Sequence, residues 1–68
     1  MRVETGEYEA SYGKKPRGRG NWAFRLGDSQ RGRYLTDLFF HNGTYTEAKR
    51  EAILEARAAG CDSVSVQP

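Results

Sequence analysis

The chain has one cysteine, one histidine, one tryptophan and one methionine among its 68 residues, and no long apolar run. A single cysteine, Cys61, excludes an internal disulfide, so no covalent staple holds the fold, which suits a reducing compartment. One Cys and one His leave no zinc pattern. With His41 as the sole histidine, no carboxylate–histidine–nucleophile set is suggested by spacing. Cys61 follows the end of an expected helix, where the dipole presents the wrong sign to activate a thiolate nucleophile. Neither catalysis nor a metal or other cofactor is expected. The opening residues MRVETGEYEA are no signal peptide, and no stretch approaches the roughly 20 apolar residues of a membrane span. The expected setting is the cytoplasm, without a membrane partner.

What is present is enough for one small domain over residues 1–68. Eight aromatics supply the bulk for a core, but a chain this short buries only about 60% of its unfolded surface. The net charge of +2 hides a strong asymmetry. Residues 13–33 carry seven cations against Asp28 alone, a balance of +6. Residues 1–12 carry Arg2 against Glu4, Glu7 and Glu9, and residues 34–68 carry three cations against five acids, each a balance of −2. A basic middle therefore lies between two acidic ends.

Hydrophobic periodicity gives the order β-β-β-α-β. In residues 3–12, Tyr8, Ala10 and Tyr12 alternate with Glu7, Glu9 and Ser11, the period of a half-buried strand. Residues 13–20 read as a loop punctuated by three glycines and Pro16. Trp22, Phe24 and Leu26 alternate with Asn21, Ala23 and Arg25 in the clearest strand, and residues 27–32 read as a turn. In the third strand, residues 34–41, Tyr34, Thr36, Leu38 and Phe40 share one face, while Leu35 and Phe39 lie opposite beside Asp37; a bulge or two partly covered faces accommodate them. Thr44-Tyr45-Thr46-Glu47 fits a capping box that opens a helix. On that helix Tyr45, Ala48, Ala52, Ala56 and Ala59 form a narrow stripe, Gly60 is the expected C′ residue, and Leu54 points away from the stripe. Residues 63–66 make a short last strand.

The expected fold is α+β: a three-stranded antiparallel meander packed on one helix, plus a short C-terminal strand added to an edge in parallel with the first or third strand. Trp22, Phe24, Leu26, Leu38 and Phe40 are expected to meet the alanine stripe. The outer face is expected to show Glu7, Glu9, Asn21, Ala23, Arg25 and Asp37, with Leu35 and Phe39 as its apolar part. The first loop, His41, Asn42 and the helix N-terminus are expected to converge into one anion-attracting end.

The loop Lys14-Lys15-Pro16-Arg17-Gly18-Arg19 is the strongest functional signal. Its core, Pro16-Arg17-Gly18-Arg19, resembles the AT-hook, which lies extended in the A·T minor groove with its arginines in the narrow negative channel; Gly20 stands where the hook has its second proline. A second resemblance covers about residues 20–58. Gly20-Asn21-Trp22 opening a strand and Gly43-Thr44-Tyr45-Thr46-Glu47-Ala48 opening a helix resemble the arm-type DNA-binding domains of phage and transposon integrases, and plant ethylene-response-factor domains. Both families place a three-stranded sheet, backed by a helix, in the major groove. The resemblance implies that Asn21, Ala23 and Arg25 face that groove.

The functional expectation is non-catalytic nucleic-acid binding, to DNA before RNA, by Lys14, Lys15, Arg17, Arg19, Asn21, Arg25, Arg31 and Arg33. In a meander the two basic loops fall at opposite ends of the sheet, so Arg31 and Arg33 are expected far from Lys14, Lys15, Arg17 and Arg19. The alternative is a small protein-binding accessory or inhibitory module of phage or mobile-element type, using the outer sheet face or an edge strand.

Overall fold

The aromatic stretch around Trp22 forms the longest strand, β2 (Arg19–Asp28), and the rest of the sheet is assembled on it. The structure, a computed structural model, describes residues 1–28 and 38–68 together with the backbone of Arg33 and Tyr34. In chain order it comprises β1 (Arg2–Glu4), α1 (Gly6–Tyr12), β2, β3 (Arg33–Tyr34), β4 (Phe39–Thr44), α2 (Tyr45–Ala58) and β5 (Ser63–Val66). The class is α+β, with a mixed sheet and two helices. Among the described residues, no helix is long and apolar enough to cross a membrane.

The expected antiparallel arrangement forms in part: β2 pairs antiparallel with β3 and β4, but the sheet as a whole is mixed. β5 inserts between β1 and β2, parallel to the first and antiparallel to the second. The last strand does pair in parallel with the first, but it is central to the sheet, not added at an edge. The cause is the route of α2. Both β4 and β5 run antiparallel to β2, so they are parallel to each other, and parallel strands need a crossover. The 14-residue helix, about 21 Å long, makes that crossover over β2. All four residues of β5 are buried, as a central strand requires.

The expected strand over 3–12 is a strand only at Arg2–Glu4; Gly6–Tyr12 is helical. The alternating Tyr8, Ala10 and Tyr12 contain a second periodicity, because Tyr8 and Tyr12 are four residues apart and meet along a helix, tilted, with ring centroids 4.6 Å apart. Glu7 and Glu9 lie in the first turn, where the dipole favours acids. The Thr5 hydroxyl bonds to the Glu9 carboxylate, and the Gly13 N–H donates to the Glu9 carbonyl to close the helix.

The far edge of β2 is shared by two short strands. β3 pairs with Gly27 and Asp28, and β4 pairs from Phe24 back to Arg19. Phe40 sits opposite Ala23 and so on the outer side, where the sequence places it on the inner one; the side chain of Tyr34 lies outside the described residues. Phe39, opposite Phe24, packs against the core instead, with the two rings 6.5 Å apart. Phe40 is 67% exposed and Leu38 is exposed, contrary to expectation. Leu35, Thr36 and Asp37 lie outside the described residues.

The core forms along most of the expected alanine stripe, though Ala59 at its end is exposed. Ala48, Ala52 and Ala56 are fully buried and let α2 lie close to the sheet. Trp22, Phe24 and Leu26 from β2, with Val64 and Val66 from β5, supply the volume. Each such side chain contributes about 1.5–3 kcal/mol on burial. Thr44 caps α2 by accepting from the Glu47 N–H at 3.2 Å. At the other end Gly60, at φ 76°, donates to the Arg57 carbonyl, and Cys61 donates to the Ala56 carbonyl. That is a Schellman ending, and the left-handed conformation it needs favours the glycine.

Candidate nucleic-acid interface

β2 outruns β5 at its N-terminal end, and this mismatch creates the site. The β5 ladder stops at Val66 opposite Phe24, and one further bond runs from the Gln67 N–H to the Ala23 carbonyl at 2.8 Å. Before that point β2 is paired only with β4, and α1 stands beyond its other edge. The space between is a cleft of about 470 Å³, within the roughly 300–1,000 Å³ range of small-ligand sites. Tyr8 and Tyr12 line it from α1, Lys14 and Arg17 from the following loop, and Arg19 and Asn21 from β2.

The loop 13–18 is fixed at both ends. Its start is the end of α1, and its last carbonyl, Gly18, accepts from the Tyr45 N–H at 2.8 Å. Pro16 is buried, so its neighbours Lys14, Lys15 and Arg17 are turned to solvent. The AT-hook-like segment is not one extended run: Gly18 has φ 83°, and Arg19 beyond it enters β2. Lys14, Arg17 and Arg19 make no ion pair with another described residue, and among the described residues the cleft lining contains no Asp or Glu.

Of the expected site residues, the structure brings Lys14, Arg17, Arg19 and Asn21 together at one cleft, with Lys15 exposed in the same loop. Arg25 is separate: it lies on the outer sheet face opposite Ser65, with its Nε donating to Gln67 Oε1 at 3.2 Å. Arg33 pairs with Asp28 at the other end of β2, about 30 Å along a ten-residue strand from Arg19. Arg31 and the side chain of Arg33 lie outside the described residues.

The convergence of the loop with His41, Asn42 and the start of α2 does occur. Arg19, Gly20 and Asn21 sit opposite Thr44, Gly43 and Asn42. The helix start is nevertheless a poor anion site. The Tyr45 N–H is given to Gly18, the Glu47 N–H to Thr44, and the Thr44 hydroxyl donates to the Glu47 carboxylate at 3.0 Å, which brings a negative charge. The outer face also differs from expectation, because Glu7 and Glu9 belong to α1. It carries Arg2 and Glu4, ion-paired at 3.5 Å, with Asn21, Ala23, Arg25 and the exposed Phe40.

Tyr8 and Tyr12 were not expected at a site. They join a continuous run of rings. Tyr12 contacts Tyr8, Tyr8 contacts Trp22 at 5.6 Å, and Trp22 contacts Tyr45 at 5.1 Å. Trp22 and Tyr45 are buried or partly so, and burial raises the Tyr45 phenol above its ordinary value of 10.0. Tyr12, at the outer end, is 54% exposed. The signal for this in the sequence was the four-residue spacing of the two tyrosines just before a Gly-Lys-Lys loop. No protein-family model matches the chain, and neither a curated protein nor a solved structure is significantly similar to it.

Proposed function

We propose that the protein binds nucleic acid, DNA before RNA, without catalysing a reaction on it, and that the loop Lys14, Lys15, Arg17 and Arg19 is the contact. The observation that carries this reading is the cleft itself: three cations and, among the described residues, no Asp or Glu in its lining, beside exposed tyrosine and Asn21. Cations that no described carboxylate neutralises attract phosphates, and the counterions released on contact drive association. A gel-shift titration on mixed DNA and RNA at two salt concentrations tests it. Binding that weakens steeply with salt, and is lost when the four loop cations are replaced by alanine, supports the reading. An absence of binding to any duplex, single strand or RNA at low salt overturns it.

A second reading has its own observation. Phe40 is 67% exposed on the outer sheet face, next to the partly buried Ala23. A large apolar ring in that position suits a protein-binding accessory module. Capture of a protein partner that is lost on Phe40→Ser, by a chain that does not bind nucleic acid, favours it.

A further inference from the structure

The nucleic-acid reading leaves open which form of nucleic acid the cleft takes. Resting on that reading, we infer that the ligand is single-stranded: one unpaired base stacks on Tyr12 inside the cleft while Lys14, Arg17 and Arg19 hold the adjoining phosphates. The shape of the site favours a single strand. The cations line a concave site between α1 and β2, not a projecting element that could enter a groove. A cleft of about 470 Å³ has room for a base-sized group between α1 and β2.

The run of rings favours it too. The Tyr12 ring touches Tyr8 at a tilt of 42° and Tyr8 touches Trp22 at 40°, so Tyr12 is braced from behind while it remains 54% exposed to solvent. A ring held in this way is a platform on which any base can stack, and interleaving such rings with cations is how single strands are bound without reading their sequence.

The edge of β2 beyond the β5 ladder points the same way. Antiparallel ladders alternate, and successive residues turn their N–H and C=O groups to opposite sides. Ala23 turns its carbonyl away from β4 and toward Gln67. Asn21, two residues earlier, therefore turns its own N–H and C=O the same way, into the cleft where β5 has already ended. A donor and an acceptor side by side match the edge of a base. The same pair could accept an added peptide strand, but an edge flanked by three cations favours a polyanion over a peptide.

The test uses the intact chain and fluorescence anisotropy with three probes of equal phosphate count: an oligothymidylate, an abasic strand of the same length, and a duplex of half that length. The expected order is oligothymidylate tightest, by about ten-fold over either of the others. Tyr12→Ala should then lose about ten-fold on the oligothymidylate and little on the abasic strand, and Tyr12→Phe should bind as the parent does. Circular dichroism confirms that the exposed substitution leaves the fold in place. Trp22, two rings from the stacked base, should change its emission with the oligothymidylate and not with the abasic strand. If the duplex binds as well as the single strand, or Tyr12→Ala weakens the abasic strand equally, the single-strand inference is overturned while nucleic-acid binding stands. If none of the three probes binds at low salt, the single-strand inference falls, and if an RNA strand at the same salt does not bind either, nucleic-acid binding falls with it.

Discussion

The indole Nε1 of Trp22 donates to the carbonyl oxygen of Gly43 at 3.2 Å, across a sequence separation of 21 residues. The bond runs from β2 to the end of β4, one residue before the cap of α2. It fixes the face of β2 that carries Trp22, and so the opposite orientation of Asn21. Trp22 is 6% exposed, so neither partner can exchange this bond for water.

Loss of that bond and of the ring should therefore be separable. Trp22→Phe keeps most of the apolar volume but leaves the Gly43 carbonyl without its donor, and should cost about 1–3 kcal/mol. Trp22→Ala should cost about 3–5 kcal/mol, enough to unfold a domain of this size. Urea denaturation checks both; a Trp22→Ala chain that melts like the parent contradicts the placement of this ring in the core.

Gly43 itself should resist substitution. It has φ 154°, and a Cβ added there would lie 3.2 Å from Nε2 of His41. Gly43→Ala should destabilise by about 1–3 kcal/mol. Gly20 faces Gly43 across the ladder, yet a Cβ there meets nothing within 4 Å, so Gly20→Ala should be close to neutral. Equal melting of the two variants would contradict this assignment.

Phe39 and Phe40 should behave oppositely despite being neighbours. Phe39→Ala should cost about 2–3 kcal/mol, less than a fully buried ring, because Phe39 is only partly buried against the core. Phe40→Ser should change stability by about 0.5 kcal/mol or less, since its ring is mostly in water. Thermal melts of the two single variants distinguish the faces.

Stability should fall at alkaline pH in a way that depends on Tyr45. Burial raises its phenol above 10.0 in the folded chain, so the folded state holds this proton more tightly than the unfolded state does. The contribution is fully present below about pH 10 and is lost as pH rises through the folded value. Tyr45→Phe should flatten that decline; Lys49, whose ammonium lies 5.7 Å from the ring centroid, keeps its cation–π partner in the variant. An unchanged alkaline slope in Tyr45→Phe would contradict the assignment.

Part of this architecture is legible in the sequence. The β2 face, the alanine stripe, the Thr44 cap and the Gly60 ending are readable because each is a local pattern with one physical solution. Tyr8 and Tyr12 mislead because Tyr-x-Ala-x-Tyr satisfies period two and the four-residue helical spacing together. Phe40 is expected inside because alternation tells which residues share a side but not which side is buried. Register against β2 decides that, and it is a long-range property. β5 is expected at an edge because nothing local reveals that a crossover helix returns the chain to the middle of the sheet. At the site, the loop cations are legible as a charge cluster. The cleft is not, because it depends on β2 being longer than β5 and on α1 standing beside the gap.

The most direct test of the central claim is the salt dependence of binding, measured for the parent chain and for a variant in which Lys14, Lys15, Arg17 and Arg19 are alanine. The substitution removes four positive charges, taking the formal net charge from +2 to −2, and changes none of the buried apolar residues of the core. The account predicts that the parent's affinity for a single strand falls steeply with salt. It predicts that the variant binds far more weakly, with a slope smaller by about 2–3, at roughly 0.7 for each phosphate left unneutralised. A variant that folds and binds with the parent's affinity and slope would contradict it.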